Sequence, residues 1–212
     1  MTPNKRNNPR LGDLEIRAAL KTFLAVQSGP DDYVVEELGL RRGQARLDVA
    51  LINGSIHGYE IKSDRDSVRR LAGQVQLYNS VVDRATLVTG PKTLRNARPM
   101  IPRWWGIILA LPDSNGPILK QLRRARINPN RDLRTLVELL WLGEAVELLQ
   151  QNGFHRGLHG KPCRKIWDMI VEQLDEELVA ENVRDKLKAR AMNRIPQKPS
   201  KCDGSFQSVA RR

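Results

Sequence analysis

Two carboxylates and a lysine lie close together in the chain, as Asp48 followed by Glu60 and Lys62. Glu60 and Lys62 are two residues apart, so on a β-strand their side chains point to the same face. Paired carboxylates offer the hard oxygen ligands that suit Mg²⁺ or Mn²⁺. A lysine beside such a metal can orient an attacking water or stabilise charge on a phosphate. The pattern therefore indicates metal-assisted phosphate chemistry, with a plain ion pair at a sheet edge as the alternative.

The turn before Glu60 decides whether Asp48 joins the other two groups. Residues 46–52 and 56–62 are predicted to form a strand hairpin around Asn53-Gly54-Ser55. A two-residue turn sends Glu60 to the face away from Asp48, whereas a three-residue loop sets the two carboxylates opposite each other. We predict the three-residue loop, because only that register gathers all three ionisable groups on one face.

The elements around this hairpin predict a mixed β-sheet flanked by helices, which is an α/β fold. Helical spacing of apolar residues predicts helices over 11–26 and 64–82, and a short strand is predicted over 33–38. Continuous apolar runs over 85–89 and 105–111 are typical of strands covered on both faces. This order of elements indicates antiparallel pairing early in the sheet and parallel pairing later.

The second half of the chain reads as helical, with helices predicted over 117–125, 130–151 and 162–191. Its last helix carries an acidic run that would repel DNA, so we expect a packing or partner surface there. The chain is accordingly divided into four parts: a basic disordered arm (1–10), an α/β core (11–112), a C-terminal helical extension (113–191) and a basic disordered tail (192–212).

The formal net charge of the 212-residue chain is +12, and most of it lies at the two ends. Residues 1–10 carry three basic residues and no acid, and residues 184–212 carry nine basic residues against two acids. Basic ends attract phosphate without reading sequence, so the charge gives weak support for a nucleic-acid partner. The strongest basic run between the ends contains Lys120, Arg123, Arg124, Arg126, Arg131 and Arg134.

Composition excludes several other classes of protein. The two cysteines, Cys163 and Cys202, are far apart, which excludes a disulfide framework and favours a reducing compartment. No apolar stretch approaches the roughly 18–20 residues that a membrane span needs. We therefore expect a cytoplasmic protein that has no membrane partner.

The spacing Asp48-x11-Glu60-x-Lys62 in a strand hairpin, with a helix on either side, resembles the PD-(D/E)XK nuclease superfamily, which has the restriction-endonuclease-like fold. The next helix carries Gln74-Val-Gln-Leu-Tyr78, which is similar to the Q-x-x-x-Y pattern of exonuclease-like branches. Segments such as Gly58-Tyr-Glu-Ile-Lys-Ser-Asp resemble most closely a family of uncharacterised bacterial proteins.

This resemblance implies a metal-dependent nuclease that hydrolyses the phosphodiester bonds of DNA, with Mg²⁺ or Mn²⁺ as its cofactor. It implies that Asp48, Glu60 and the backbone carbonyl of Ile61 bind the metal, and that Lys62 orients the attacking water. DNA is the implied substrate, although another nucleic acid is possible on the same grounds.

The resemblance also implies an additional acid and a set of supporting residues. Glu15 on the first helix is the positional match for the additional acid, with Glu37 as the alternative and Glu36 as a weaker one. Four residues are expected to support the site or contact the DNA backbone: Arg69, Arg70, Gln74 and Tyr78. For Tyr78 the alternative is a plain core residue.

A non-catalytic DNA-binding or adaptor protein on the same fold is the alternative function. It would use the basic ends and the helical extension, through which a protein partner or a second copy could bind, and its DNA binding would survive EDTA. Two further residues are given structural roles: His57, on the face away from Glu60, and Asp64, which suits the start of the following helix.

Overall fold

The computed structural model describes residues 11–40, 43 and 45–193. The predicted disordered arm (1–10) and nearly all of the predicted disordered tail (192–212) lie outside the described residues. Within the described part, six strands form one sheet: β1 (Tyr33–Leu40), β2 (Ala45–Ile52), β3 (Ile56–Lys62), β4 (Arg84–Thr89), β5 (Gly106–Leu111) and β6 (Ile118–Arg123).

The strands lie side by side in the order in which they occur in the chain. β1, β2 and β3 pair antiparallel, β3, β4 and β5 pair parallel, and β6 returns antiparallel to β5. The sheet is flanked by seven α-helices: α1 (Asp13–Gln27), α2 (Leu71–Val81), α3 (Pro91–Ala97), α4 (Leu133–Val137), α5 (Leu142–Gln151), α6 (Cys163–Gln173) and α7 (Glu176–Met192). The predicted mixed α/β sheet with a C-terminal helical part is confirmed.

Each face of the sheet carries its own hydrophobic core. α1 covers one face, where Ile16 and Leu20 pack in a cluster with Val88. The other face carries a larger cluster that joins Leu87 to apolar residues of α2 and of the four C-terminal helices. Leu87 and Val88 are neighbours on β4 and are both fully buried, which explains why this strand is a continuous apolar run.

The predicted helix over 64–82 begins later than expected, at Leu71. The residues before it form a turn in which acidic side chains accept backbone hydrogen bonds. Asp66 accepts from the amide of Ser63 at 2.7 Å, while Asp64 accepts from the amides of Lys92 and Thr93 at 3.0 and 3.1 Å. Asp64 therefore caps α3, a helix that was not predicted from the sequence. The hydrogen bonds of Asp66 to Ser63 are local, and such bonds compete with helix formation.

The prediction of a helix over 117–125 is wrong, because this segment contains β6. Ile118 and Leu122 have helical spacing, but pairing with β5 along the strand overrides that local signal. The sheet thus extends beyond residue 112, where the α/β core was predicted to end.

The two long helices predicted in the C-terminal part are each divided in two. The segment 130–151 holds α4 and α5, and the segment 162–191 holds α6 and α7. Asp175 causes the second division, because its carboxylate accepts hydrogen bonds from the amides of Glu177 and Leu178 and so begins a new helix. None of the described helices has the length and apolar character needed to traverse a bilayer.

Candidate functional site

The hairpin between β2 and β3 adopts the predicted three-residue loop. Ile52 pairs with Ile56, and in the continuing register Asp48 comes opposite Glu60. One carboxylate oxygen of Asp48 accepts a hydrogen bond from the backbone amide of Ile61 at 2.8 Å. The structure therefore brings the predicted residues together on neighbouring strands.

Glu60 is completely buried, and both of its carboxylate oxygens are engaged by protein donors. The Lys62 ammonium donates to Oε1 and the Tyr78 hydroxyl donates to Oε2. Burial raises the pKa of Glu60, and the nearby Asp48 carboxylate raises it further, although Lys62 and Tyr78 act in the opposite direction. We refer to Asp48, Glu60, Lys62 and Tyr78 as the carboxylate cluster.

Asp48 is held from several sides. Besides the Ile61 amide, the Arg17 guanidinium lies 3.5 Å from its other carboxylate oxygen and donates to its backbone carbonyl at 2.6 Å. Burial raises the pKa of Asp48, while the Ile61 amide, Lys62 and Arg17 each lower it. Asp48 is thus tied to α1 as well as to β3.

Arg17 was not among the site residues predicted from the sequence. Its guanidinium, on α1, also contacts Asp13 one helical turn earlier at 3.2 Å and Glu37 on β1 at 3.2 Å. The four-residue spacing between Asp13 and Arg17, typical of a helical ion pair, is the signal that the sequence offers for it. Nothing local indicates its contacts with β1 and β2.

Of the two acids expected to complete the site, Glu37 lies beside Asp48 and Glu15 does not contact it. In the register of β1 and β2, Glu37 comes opposite Asp48. Its carboxylate bridges Arg17 and Arg46, at 3.2 and 3.3 Å. The exposed carboxylate of Glu15 instead accepts a hydrogen bond from the Gly12 amide at the start of α1.

Glu37 also has an unusual backbone conformation. Its φ angle is +54°, which is the left-handed region that residues other than glycine seldom adopt. Such a conformation is retained where surrounding contacts determine it, and the two arginine contacts of Glu37 are contacts of that kind. Glu36, the third acid considered, lies next to it and pairs with Lys21 on α1.

A cleft of about 610 Å³ opens beside Asp48, between β2 and the first turns of α2. We refer to it as the arginine cleft. Its polar lining comes from Glu37, Arg46, Asp48, Arg69, Arg70 and Gln74. Glu60, Lys62 and Tyr78 do not line the cleft and lie behind it in the core. Gln74 presents a buried side-chain oxygen that has no hydrogen-bond partner among the described residues.

His57 has the structural role that its position predicted. It pairs with Leu51, its ring stacks on Tyr59 with centroids 4.3 Å apart, and its Nε2 lies 2.8 Å from the Thr86 hydroxyl. Burial lowers the pKa of His57 to about 4, so the ring is neutral at physiological pH.

Protein donors already engage the carboxylate oxygens of the carboxylate cluster. Both oxygens of Glu60 hold protein donors, and one oxygen of Asp48 holds the Ile61 amide. Within the described part of the chain, no group of three or more His, Cys, Asp or Glu side chains is placed to hold a metal ion. Binding of Mg²⁺ or Mn²⁺ by Asp48, Glu60 and the Ile61 carbonyl stays a prediction.

The chain is similar to one protein family, to one curated protein and to one solved structure. The family model described as "Bacteriophage P4 protein cII" matches residues 7–196. A curated relative, "Protein cII" of Enterobacteria phage P4, is 26% identical over 183 residues, which cover 85% of this chain and 68% of the relative. A solved structure of the "SPO1766 protein of unknown function from Silicibacter pomeroyi" is 20% identical, with a TM-score of 0.41, over 73% of this chain and 97% of that one.

These findings correct the functional prediction drawn from the sequence. Both the family model and the curated relative point to protein cII and not to a nuclease. Membership of the PD-(D/E)XK nuclease superfamily, and the activity of a metal-dependent phosphodiester hydrolase, are therefore wrong for this chain. The pattern of Asp48, Glu60 and Lys62 misled because it is short. Here Lys62 binds Glu60, and the Asp48 carboxylate accepts from the Ile61 amide. The chain belongs to the bacteriophage P4 protein cII family.

Proposed function

We propose that this protein is a non-catalytic DNA-binding protein that holds the phosphate backbone in the arginine cleft. The observation that carries the proposal is the placement of Arg46, Arg69 and Arg70 around one cleft beside the start of α2. Arginine presents a rigid fork of donors that matches phosphate oxygens. Contacts of this kind supply affinity for DNA without reading its sequence.

Two of the arginines that line the arginine cleft are available to bind phosphate, because the acids of the cleft are paired with other arginines. Its acids, Glu37 and Asp48, are both in ion pairs with Arg17 from α1, and Glu37 also pairs with Arg46. Arg69 and Arg70 are exposed and make no ion pair with any acid in the described part of the chain. A bound phosphate would therefore meet uncompensated positive charge.

The first turn of α2 adds to this preference for an anion. It contains no acidic residue, and no side chain caps it. Exposed N–H groups and the positive end of a helix dipole attract phosphate oxygens. A Cβ atom added at Gly73 would meet nothing within 4 Å, so the backbone there is open to the cleft.

In the proposed function, the carboxylate cluster lies beneath the arginine cleft and stabilises it. Tyr78 on α2 donates to Glu60 on β3, and its hydroxyl lies 3.3 Å from the carbonyl oxygen of Arg46 on β2. These contacts fix α2 against the two strands. Gln74, one turn before Tyr78, has its free side-chain oxygen in the cleft wall. Four residues were expected to support the site or contact the DNA backbone. Of these, Arg69 and Arg70 would contact phosphate, and Gln74 and Tyr78 would position the two arginines.

Fluorescence anisotropy with a labelled DNA duplex in buffer containing EDTA tests the proposal. The double substitution Arg69→Gln with Arg70→Gln should weaken binding and reduce the slope of log K against log salt concentration by about 1–2, since each lost phosphate contact removes about 0.9. Arg164→Gln with Lys165→Gln is the matched control, because these neighbouring bases are exposed on α6 and lie outside the cleft.

Substitutions at Gly73 give an independent test of the same surface. Gly73→Glu introduces a negative charge into the cleft without a steric clash and should abolish DNA binding. Gly73→Ala should bind as the wild-type protein does and should be slightly more stable, because alanine favours a helix. The proposal fails if neither the arginine pair nor Gly73→Glu changes affinity or salt slope.

A further inference from the structure

The outer edge of β6 differs from the rest of the surface. β6 is the last strand of the sheet and pairs with β5 on one side, while no described strand pairs with its other side. Such an edge presents unpaired backbone N–H and C=O groups, which can accept another extended segment. The arginine cleft lies at β2, four strands away, so the two surfaces are separate.

Large apolar side chains are exposed along this edge. Ile118 and Leu122 on β6 are 55% and 46% exposed, and Ile127 just after the strand is 60% exposed. These are three of the seven large hydrophobic side chains that stand out as exposed in the described part of the chain. Ile118 and Leu122 lie on the edge strand itself. Ile127 lies where the chain turns toward the start of β4, because the Ala125 carbonyl accepts from Arg84 and the Asn128 amide donates to the Asp83 carbonyl. Exposed apolar side chains on an edge strand are typical of an interaction surface.

Several basic residues lie on β6 or close to its last residue. Lys120 and Arg124 are exposed on or directly after β6, and Arg126 follows them. Burial lowers the pKa of Arg123, and the nearby charges of Arg98 and Arg126 lower it further. The Arg123 guanidinium donates to the Pro102 carbonyl at 3.2 Å, so these arginines lie at the end of β6, next to the segment before β5. None of these five residues makes an ion pair with an acid in the part of the chain that the structure describes.

We propose that the edge of β6 binds an extended acidic segment of a partner protein, which adds to the sheet as a further strand. We name the surface formed by Arg98, Ile118, Lys120, Leu122, Arg123 and Arg126 the β6 surface. In strand addition the backbone supplies hydrogen bonds and alternate side chains supply specificity. Acidic side chains would neutralise the bases, and apolar side chains between them would cover Ile118 and Leu122.

A protein strand fits this surface better than a nucleic acid does. A phosphate backbone would satisfy the arginines but would leave Ile118 and Leu122 exposed and the strand edge unpaired. An extended peptide uses the charge, the apolar side chains and the backbone edge together. Combined with the proposed DNA binding, the β6 surface would make the protein an adaptor between DNA and a second protein, although the peptide site does not depend on the DNA site.

Calorimetric titration of the full chain with synthetic peptides tests this inference. The probe is a short blocked peptide of alternating glutamate and valine, and the comparison peptides replace glutamate by lysine or replace alternate valines by proline. We expect the acidic alternating peptide to bind, and both comparison peptides to bind at least about tenfold more weakly, because one has the wrong charge and the other lacks backbone donors. Amide hydrogen exchange should slow at 118–123 when the acidic peptide is added.

Two variants link that binding to the β6 surface. Arg98→Glu with Arg126→Glu should reduce affinity for the acidic peptide at least about tenfold through charge repulsion, and Ile118→Asp should do so independently. Arg164→Glu with Lys165→Glu is the matched control on α6, and thermal unfolding checks that each variant is folded. DNA affinity should be unchanged in both β6 variants.

Three outcomes would overturn the inference. The acidic peptide fails to bind the wild-type chain, or the proline peptide binds as well as the alternating one, which would leave only non-specific charge attraction. Alternatively, the β6 variants lose DNA binding as strongly as the arginine-cleft variants do, which would make this edge part of a nucleic-acid surface. Loss of DNA binding by the cleft variants alone bears only on the proposed function.

Discussion

Tyr78 connects three elements through one hydroxyl group and one ring. The hydroxyl donates to the fully buried Glu60 on β3 and lies 3.3 Å from the Arg46 carbonyl on β2. The ring stacks against Trp105, with centroids 5.5 Å apart. Removing a hydrogen bond to a buried carboxylate lowers the free energy of unfolding, because the carboxylate loses a donor that water does not replace.

The substitution Tyr78→Phe should therefore lower the free energy of unfolding by about 1–3 kcal/mol, since it leaves one oxygen of Glu60 without its donor. Urea denaturation measures this change. Tyr33→Phe is the control, because the half-buried Tyr33 hydroxyl makes no hydrogen bond with the described residues and its loss should be nearly neutral. Equal effects of the two substitutions would contradict the role of the Tyr78 hydroxyl.

Glu60 also predicts how stability depends on pH. Burial raises its pKa in the folded state, so between the ordinary carboxyl pKa, about 4.3, and the raised value, the folded state binds more protons than the unfolded state. Stability contributed by Glu60 is therefore lost as the pH rises through that interval.

Over that pH range, the free energy of unfolding of the wild-type protein should fall relative to that of Glu60→Gln. Urea denaturation at a series of pH values gives both curves. Glu172→Gln, at an exposed position on α6, should run parallel to the wild type. A Glu60→Gln curve that also runs parallel would show that the pKa of Glu60 is not raised.

The site could be predicted from the sequence only where local rules determine it. Strand alternation left two registers for the hairpin, and the one that sets Asp48 opposite Glu60 was chosen because it gathers the ionisable groups on one face. The helical spacing of Gln74 and Tyr78 put them on one face of α2. Arg17 and Glu37 required the tertiary structure. Arg17 contacts Asp48 across 31 positions of the chain, and the positive φ of Glu37 has no signature in its residue type.

At the scale of whole elements, the difference between local rules and tertiary contacts explains which strands and helices could be predicted from the sequence. β2 to β5 follow from alternation or from continuous apolar runs, and their predicted bounds agree closely with the structure. β6 was mistaken for a helix because its exposed pattern carries no strand period, and only pairing with β5 defines it. An edge strand is the element whose conformation depends most on its single neighbour.

Gly106, the first residue of β5, lies very close to neighbouring segments, and this close packing gives a testable prediction. A Cβ atom on Gly106 would lie 2.5 Å from the Thr86 hydroxyl and 2.9 Å from the amide nitrogen of Ala125. Because the second neighbour is backbone, Gly106→Ala must displace β5 or the segment after β6. We expect a loss of about 1–3 kcal/mol in the free energy of unfolding.

Gly143→Ala on α5 is the matched control for Gly106→Ala. A Cβ atom at Gly143 meets nothing within 4 Å, so alanine there should raise stability by about 0.5–1 kcal/mol. Thermal or urea denaturation distinguishes the two results, which should have opposite signs. A Gly106→Ala variant that is as stable as the wild type would show that the packing around Gly106 is looser than the structure indicates.

At the scale of the whole molecule, the sheet and the C-terminal helices share one hydrophobic core. A continuous cluster of buried residues runs from Leu47 and Leu87 on the sheet to Trp167 and Leu187 on α6 and α7. A buried arginine on α7, Arg190, reinforces this packing. The division of the chain into a core and a helical extension stays a prediction, but the shared cluster favours cooperative unfolding.

Arg190 provides the test of that cooperativity. Its guanidinium binds Glu144 and the Leu139 carbonyl and lies 4.0 Å from the centre of the Trp141 ring. Arg190→Met leaves Glu144 without its partner and should destabilise the protein by about 3–5 kcal/mol. Far-UV circular dichroism and tryptophan fluorescence should report one coincident transition in the wild type and in the variant. Separate transitions for the two signals would contradict a shared core. Lys188→Met, on the same helix, is the control variant.

The order of the strands in the sheet has a consequence for how the chain acquires its structure. From β2 onward each strand pairs with the strand before it, so each pairing joins neighbouring parts of the chain, and the longest connections are the two crossovers that hold α2 and α3. Connections of low sequence separation lose little entropy and form quickly. During synthesis the sheet can grow by one strand at a time as the chain leaves the ribosome, and its growing edge is always the strand made last.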